Sequence, residues 1–403
     1  MRKIELYWQI LIAFCLAIVF GILFKNAVPY VSWMGVVFLK GLNMVIIPLI
    51  VSSMISGVVN IGDAKNLGRV GLKTMSYFIL TSIIALFTGL ILVNLIKPGV
   101  GAELGLHQNQ TDINLAKDTF SGILLNIVPG NVFKAMVENQ ILSIIFFSLL
   151  FGFFITQTEV KYKSILSEFF NAVFEVMMKL TMFVIKFTPL GIFGIIAKLV
   201  AEQENLGELF SRLGLYGLVV ILGLVIHSGI TLPLLIKVFA KVNPINHFKA
   251  VREPLLTAFS TSSSSATLPL TMEAVEHKSG VSNTISSFVL PLGATINMNG
   301  TALYELVAAM FIAQAYGIDL SFGQQLILVV TGLLASIGAA GIPMAGMVMM
   351  SVVLSSVGLP LEGIGLILAI DRFLDMFRTT VNVWGDTCGA VIIAKSEGET
   401  LKI

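Results

Sequence analysis

Residues 371–386 read DRFLDMFRTTVNVWGD and lie inside an otherwise apolar run, with GIGLILAI before them and GAVIIA soon after them. A helix turns by about 100° per residue, so the polar side chains of this stretch share an arc of about 100°. They are Asp371, Asp375, Arg378, Thr379, Asn382 and Asp386. The stripe extends for about 22 Å, most of the thickness of a bilayer core. The stretch therefore predicts a membrane helix with one polar face.

Ionisable side chains inside such a helix are expensive to bury, so the stripe is expected to face a bundle interior or an aqueous path. It could form a seam of salt bridges that only locks helices together, or it could bind a charged ligand. A seam would need one aspartate for each arginine, whereas this face has three aspartates and one arginine. We therefore favour a ligand site.

The composition predicts a protein with several membrane spans. Of the 403 residues, 56% are hydrophobic and 12% are charged, against about 25% charged in soluble domains. The mean hydropathy is +0.93. A net charge of +2 gives no reason to expect a nucleic-acid partner, and two isolated cysteines, Cys15 and Cys388, make a disulfide or zinc framework unexpected.

Apolar runs predict the spans and basic residues predict their orientation. Since no small-residue cleavage site follows the first run, we interpret it as a retained span rather than a signal peptide. The predicted spans are 7–24, 34–59, 75–96, a broken region at 119–156, a region at 161–199 interrupted by Pro189, and 213–240. Lysines and arginines concentrate on one side of these spans, which predicts that both termini are cytoplasmic.

Two apolar segments are interrupted in the same way. Residues 254–282 contain FSTSSSSATLPLTM, and residues 323–357 contain SIGAAGIPMAG. A simple spanning helix does not fit either centre, whereas a hairpin that enters and leaves on one side does. Flexible surface loops are the alternative, but the uncharged second centre and its apolar flanks argue against them. Paired interruptions of this kind are typical of a transporter site built from inverted repeats.

Between the two segments, residues 284–313 form an apolar helix that TINMNGT (295–301) interrupts. Carbonyls released by an unwound turn, together with asparagine side chains, would make an oxygen-rich pocket of the kind that hard cations prefer. The alternative is a glycine-kinked helix that packs through asparagine hydrogen bonds.

These motifs carry a resemblance that covers essentially the whole chain. They are SSSSATLP (262–269), NMNGTALY (297–304), SIGAAGIPMAG (336–346) and DMFRTTVNVWGD (375–386). In this order they resemble the dicarboxylate/amino acid:cation symporter family, which includes excitatory amino acid transporters and archaeal aspartate transporters. The resemblance implies an all-α membrane protein with eight transmembrane helices, two re-entrant hairpins, inverted repeats and a homotrimeric assembly.

The resemblance also implies that the chain is divided between a scaffold and a transport domain. Residues 1–74 and 119–205 would form scaffold helices 1–2 and 4–5. Residues 75–97 would form helix 3 of a transport domain, and residues 206–403 would supply its helices 6–8 and both hairpins. That domain would move across the plasma (inner) membrane like an elevator.

By the same resemblance, Arg378 would hold the side-chain carboxylate of the substrate and Asp375 its α-amino group. Further substrate contacts would come from Thr379, Asn382, Thr301, Ser264, Ile342 and Gly346. A first sodium site would be formed by Gly293, Asn297, Asn382 and Asp386. A second would be formed, mostly through backbone oxygens, by Thr295, Met298, Ser336, Ile337 and Ala339.

Three departures from the family pattern affect these expectations. Asn299 stands where the family has an aspartate, and Phe78 stands where it has a tyrosine, although Thr81 and Ser82 are retained. Losing one charge and one oxygen predicts a weak or absent third sodium site. The arginine that relatives place in the first hairpin or beside the binding aspartate is also missing. Arg372 could substitute for it, with a solvated helix face as the alternative.

The charges at the site predict an acidic amino acid, L-aspartate or L-glutamate, as the substrate of a sodium-coupled symporter. A proton-coupled symporter and a C4-dicarboxylate symporter are the alternatives. An enzyme is not expected because the four histidines are scattered away from the polar stripe. A channel would need rings of like charge, and ATP-driven transport would need a P-loop, which the sequence does not contain.

Overall fold

The computed structural model describes residues 6–63, 68–102, 128–138, 140–202, 206–338 and 345–403. Within these ranges the regular secondary structure is helical throughout. The predicted all-α class is therefore confirmed for the part of the chain that the structure describes.

The described helices of the first half of the chain are mostly long and apolar, apart from one helix of six residues. They are α1 (Leu6–Leu23), α2 (Pro29–Asp63), α3 (Arg69–Ile96), α4 (Val132–Val137), α5 (Ile141–Gln157), α6 (Val160–Ile185) and α7 (Thr188–Glu202). Pro48 lies inside α2 without ending the helix. Helices α6 and α7 are bent by 50° at the break before Pro189, as the sequence predicts.

The second half begins with α8 (Leu206–Ile226), which continues through π-helical turns at His227–Thr231 and Ile236–Ala240. The following helices are α9 (Pro244–Thr261), α10 (Ser264–Glu273), α11 (Asn283–Ile296), α12 (Asn299–Ala315), α13 (Phe322–Gly338), α14 (Ala345–Ser356) and α15 (Ile364–Ser396). A π-helical turn at Ala274–Ser279 extends α10.

The helices pack as two groups. In the first group, α1 packs on α7, and α2 packs on α5, α6 and α7. Glycines allow a close crossing of α2 and α7: a Cβ at Gly194 would lie 2.7 Å from the backbone nitrogen of Gly35. In the second group, α12 is the central helix and packs on α3, α8, α13, α14 and α15. Every residue of α12 from Asn299 to Ala313 is buried.

Two packed helix pairs stand where the sequence predicts hairpins. The first pair is α9 and α10, and the four serines lie at its turn. Ser262 takes a left-handed conformation with φ 51°, and the Ser263 hydroxyl caps α10 by accepting from the amide of Ala266 at 3.2 Å. The second pair is α13 and α14, whose connecting residues 339–344 lie outside the described part of the chain.

Fewer helices meet a simple spanning criterion than the eight that the resemblance implies. Among the described residues, four helical segments are long and apolar enough to cross a membrane, namely Pro29–Val59, Arg69–Ile96, Gly207–Ala240 and Asn283–Ala315. The bent pair α6–α7 would make a fifth if it is one span. Helices α1, α5 and α13 contain only shorter apolar stretches. Helix α15 carries its charged stripe inside its apolar run, so hydropathy alone does not mark it as a span.

Some helix boundaries differ from the predicted ones. Helix α3 begins at Arg69 rather than at residue 75, because the left-handed Gly68, with φ 53°, directly precedes its first turn and no residue from Arg69 to Ile96 breaks the helix. Arg69 and Lys73, predicted to lie in a loop, therefore occupy the first turns of α3. Their side chains reach Glu397, at 2.5 and 2.6 Å.

The C-terminal segment joins three elements at one end of the protein. Glu397 binds the start of α3, and Glu399 accepts a hydrogen bond from the amide of Ser282 at 2.9 Å. The amide of Lys402 donates to the carbonyl of Ser279 at 3.0 Å. One end of the protein therefore contains the start of α3, the end of α15 and the residues that follow α10. This end carries several of the basic residues used for the orientation prediction.

Candidate substrate and ion site

Arg378 lies at the centre of the polar stripe and is completely buried. Its Nη1 donates to Asp371 Oδ1 at 2.9 Å, and its Nη2 donates to Asp375 Oδ1 at 2.7 Å. The guanidinium carbon lies 3.7 Å from the centre of the Tyr304 ring, on α12. This environment suits a guanidinium, which binds carboxylates with a planar fork and stacks on aromatic faces.

The two ion pairs bear on the salt-bridge interpretation of the stripe. Asp371 and Asp375 are on the same helix as Arg378, so these pairs do not join one helix to another. Arg378 Nε and Asp375 Oδ2 have no hydrogen-bond partner among the described residues. The cluster therefore retains a donor and an acceptor, both buried, that a zwitterionic ligand could use.

Arg372 lies at the edge of this cluster. Its Nη1 is 3.8 Å from Asp375 Oδ2, and its side chain is 32% exposed. It is thus turned towards the carboxylate rather than purely towards solvent, although its role as a substitute arginine stays a prediction.

The start of α12 and the start of α14 meet the stripe beside Arg378. The Asn382 side chain accepts from the amide of Gly300 at 2.8 Å and donates to Thr301 Oγ1 at 3.1 Å. A Cβ at Gly346 would lie 3.5 Å from both terminal nitrogens of Arg378 and 3.3 Å from Thr301 Cγ2. The structure therefore brings together five of the predicted substrate residues, which are Arg378, Asp375, Asn382, Thr301 and Gly346.

The other predicted substrate residues are less closely tied to this cluster. Thr379 is buried next to Arg378, and Ser264 is buried at the first position of α10. No hydrogen bond between described residues joins Ser264 to Arg378 or Asp375. Ile342 lies outside the described residues.

A second cluster of oxygens surrounds Asp386, one turn beyond Asn382. Asn297, in the break between α11 and α12, donates from Nδ2 to Asp386 Oδ1 at 2.8 Å. Gly293 packs against the same carboxylate, and a Cβ at Gly293 would lie 2.8 Å from Asp386 Cγ. Asn297 Oδ1 has no hydrogen-bond partner among the described residues. A buried carboxylate with one neutral partner and a nearby free carbonyl is a chemically suitable setting for a hard cation.

The second sodium site, predicted to use mostly backbone oxygens, stays a prediction, and the side chains of its residues have other partners or surroundings. Thr295 is exposed, and its hydroxyl donates to the carbonyl of Leu292 in its own helix at 3.0 Å. Met298 is buried in the α11–α12 break, whereas the Ser336 hydroxyl donates to Leu333 at 2.7 Å. Ile337 is half-buried, and Ala339 lies outside the described residues.

The residues of the doubtful third site surround Asn299. The Ser82 hydroxyl donates to Asn299 Oδ1 at 2.7 Å, and Asn299 Nδ2 has no partner among the described residues. Thr81 is buried, and its hydroxyl donates to the carbonyl of Tyr77 at 2.8 Å. Phe78 is buried and supplies no oxygen. The Tyr77 hydroxyl instead donates to the carbonyl of Gly385, at 3.1 Å.

Sequence reasoning missed two residues at this site. Tyr304 forms the aromatic face under Arg378, and Glu305 is completely buried, with neither carboxylate oxygen partnered among the described residues. Glu305 could have been noticed, because an acidic residue inside an apolar helix is itself a sign of function. Tyr304 gave no comparable signal, since aromatic residues are common in buried helices.

Comparison with known proteins identifies the family of the chain. A family profile described as the sodium:dicarboxylate symporter family matches residues 6–396. The chain belongs to this family. The family consists of transporters, so the protein is a multi-pass membrane symporter and not an enzyme. Sodium is its coupling ion, and the name of a bacterial relative adds the proton.

Three members of the sodium:dicarboxylate symporter family illustrate the similarity. The proton/sodium-glutamate symport protein of Geobacillus stearothermophilus is 37% identical over 417 residues, which cover 99% of this chain and 96% of the relative. Excitatory amino acid transporter 3 of Oryctolagus cuniculus is 39% identical, covering 100% of this chain and 88% of the relative. Excitatory amino acid transporter 1 of Ambystoma tigrinum is 38% identical, covering 90% of this chain and 77% of the relative.

Proposed function

We propose that this protein imports an acidic amino acid, L-aspartate or L-glutamate, together with sodium. The observation that carries the proposal is the completely buried guanidinium of Arg378 beside the carboxylate of Asp375. The names of the relatives support it, since they describe glutamate symport proteins and excitatory amino acid transporters.

The two charges select the substrate. Arg378 would hold the substrate's side-chain carboxylate. Asp375 would then give up part of its ion pair with Arg378 and accept a hydrogen bond from the substrate's α-amino group. A C4-dicarboxylate has no amino group, so Asp375 would repel it. A neutral amino acid would leave buried charges without a partner, which is costly in a dry site. Aspartate and glutamate satisfy both charges and differ by one methylene, worth only about 1–3 kcal/mol.

Sodium is proposed to bind at Asp386, Asn297, Asn382 and the backbone near Gly293. The cation would compensate the charge of the buried Asp386. Asn382 binds Gly300 and Thr301 at the substrate cluster and lies one helical turn before Asp386 on the same helix. A cation bound by both Asn382 and Asp386 would therefore order a side chain of the substrate cluster, which gives a physical route for coupling between ion and substrate.

Proton coupling is a second candidate because of Glu305. An unpaired carboxylate is costly in a buried position, so this residue needs a proton or a cation near it. The names of the bacterial relatives include both ions. Replacement of Glu305 with Gln tests proton coupling, because the amide keeps the shape of the side chain and cannot take up a proton.

We further propose that the two packing groups correspond to a scaffold and a transport domain. The scaffold would contain α1, α2 and α4–α7 and would form a homotrimer. The transport domain would contain α3 and α8–α15, with the two helix pairs as re-entrant hairpins, and would move like an elevator. Both termini would lie in the cytoplasm and the protein in the plasma membrane. The helices pack more extensively within each group than between the groups, although α2 also contacts α13 and α14. This packing and the basic end of the molecule support the arrangement.

The deciding experiment is reconstitution in liposomes, with uptake of labelled aspartate driven separately by a sodium gradient and by a pH gradient. We expect uptake with the sodium gradient, and no uptake by Arg378→Thr. Arg212→Thr is the matched control, because Arg212 pairs with Glu208 at 3.4 Å on the partly exposed side of α8, away from the stripe.

Two results would contradict the proposal. If Arg378→Thr took up aspartate with unchanged affinity, the substrate assignment would be wrong. If a pH gradient alone drove uptake and sodium had no effect, the proton-coupled alternative would replace sodium symport. Uptake of a neutral amino acid gained by Arg378→Thr would further support the role of the guanidinium.

A further inference from the structure

A groove outside the polar cluster lies between α8, α9 and α15, and we call it the Trp384 groove. Its volume is 510 Å³, within the range of about 300–1,000 Å³ usual for small-molecule pockets. Phe248, Leu255 and Phe259 of α9 line one wall, and Phe377 and Trp384 of α15 line another. The groove is not part of the proposed transport site, whose polar groups face away from it.

Two of the polar side chains on the groove wall already have hydrogen-bond partners. Trp384 Nε1 donates to the carbonyl of Ser228 at 3.1 Å, and the Thr380 hydroxyl donates to Met376 at 2.8 Å. Only the apolar face of the indole is left for a ligand. The groove therefore suits a hydrocarbon chain and offers little to a nucleotide, sugar or amino acid.

The rim of the groove carries exposed apolar side chains. Ile245 and Phe248 at its α9 edge are 63% and 52% exposed, and Val225 at its α8 edge is 55% exposed. The α8 edge is part of a candidate membrane span. Apolar side chains exposed on a spanning helix contact lipid in a bilayer, so lipid is the apolar molecule with direct access to this edge of the groove.

The charge around the groove indicates which lipid. From residue 213 to residue 252 the chain has four basic residues, Lys237, Lys241, Lys249 and Arg252, and no acidic one. All four are exposed. On α9, Arg252 lies about 40° around the helix from Phe248, so it falls on the same face as the groove lining. Basic residues at the cytoplasmic end of transmembrane helices attract anionic headgroups.

We propose that the Trp384 groove binds an acyl chain of an anionic phospholipid, with the headgroup at Lys249 and Arg252. The apolar wall holds the chain, and the basic rim selects the headgroup. The site is independent of the proposed substrate and of the coupling ion.

Trp384 provides a local probe, since the chain has three tryptophans and the other two, Trp8 and Trp33, are 49% and 56% exposed. In a Trp8→Phe, Trp33→Phe background, the full-length protein is reconstituted with phosphatidylglycerol or phosphatidylcholine brominated along the acyl chains. We expect saturable quenching of Trp384 emission, with half-saturation at a roughly fivefold lower fraction of brominated phosphatidylglycerol than of phosphatidylcholine.

Gly229 allows the groove to be blocked. It lines the groove, and a Cβ added there meets no atom within 4 Å, so Gly229→Phe fills the groove without a backbone clash. This variant should lose most of the saturable quenching. Lys249→Gln with Arg252→Gln should lose the preference for phosphatidylglycerol, whereas Lys161→Gln with Lys163→Gln, on α6, should keep it.

Three outcomes would overturn the proposal: equal quenching by both lipids, quenching that rises without saturation, or quenching unchanged in Gly229→Phe. The readout is fluorescence, so its failure would leave the transport proposal untouched. Conversely, a loss of uptake in reconstituted protein would not affect the binding result.

Discussion

Gly293→Ala is a sharp test of the proposed sodium site. The new Cβ would lie 2.8 Å from Asp386 Cγ and 3.2 Å from Phe78 Cζ. Ordinary carbon contacts need about 3.5–4.0 Å, and Gly293 and Asp386 are both held in packed helices. The carboxylate would therefore have to turn away by most of an ångström, which would break its 2.8 Å hydrogen bond with Asn297.

The magnitude follows from that hydrogen bond. A buried polar group left without its partner costs about 1–3 kcal/mol, and each 1.4 kcal/mol is tenfold in an equilibrium constant. We expect the sodium concentration that gives half-maximal uptake to rise by about tenfold or more. Saturating sodium should restore much of the uptake, because the Arg378 cluster is not altered.

The assay is the initial rate of labelled aspartate uptake into proteoliposomes over a range of sodium concentrations, at fixed aspartate. Gly214→Ala is the matched control, since a Cβ there meets no atom within 4 Å and the change also lies in a helix. A half-saturating sodium concentration within twofold of the unmodified protein, in protein that elutes as a single species, would refute a sodium role for Asp386.

The remaining predictions concern neighbouring groups. Gly300→Ala places a Cβ 2.7 Å from the backbone oxygen of Arg378, so aspartate affinity should fall at least tenfold even in saturating sodium; an unchanged affinity would contradict this packing. Asn299→Asp adds a charge beside Ser82 and should steepen the sodium dependence of uptake, and an unaltered slope would count against a third site there. Two basic side chains of α3 hold the pKa of Glu397 below its ordinary value of 4.5, so its contribution to stability is present at neutral pH and lost as the pH falls below 4.5. Glu397→Gln should therefore lower the melting temperature at pH 7 and have little effect in acid, and the reverse pattern would show that the ion pairs do not matter.

The sequence alone determined the elements that carry the site. The polar stripe of α15, the break at Asn297 and Met298, and the arms of the two helix pairs were all predicted at nearly their observed positions. These features are local: helical periodicity fixes which residues share a face, and proline, glycine or a run of serines interrupts an apolar helix wherever it occurs. The motif order was then enough to indicate the family.

Only the tertiary structure determined which side chains these residues contact. It pairs Arg378 with Asp371 as well as Asp375, places the Tyr304 ring under the guanidinium, and leaves Glu305 buried without a partner among the described residues. It also leaves the Thr295 side chain exposed, with its hydroxyl bound to the carbonyl of Leu292 in its own helix. Such choices depend on how close two helices approach and on which rotamers fit between them, and a periodic pattern along one helix contains no information about either.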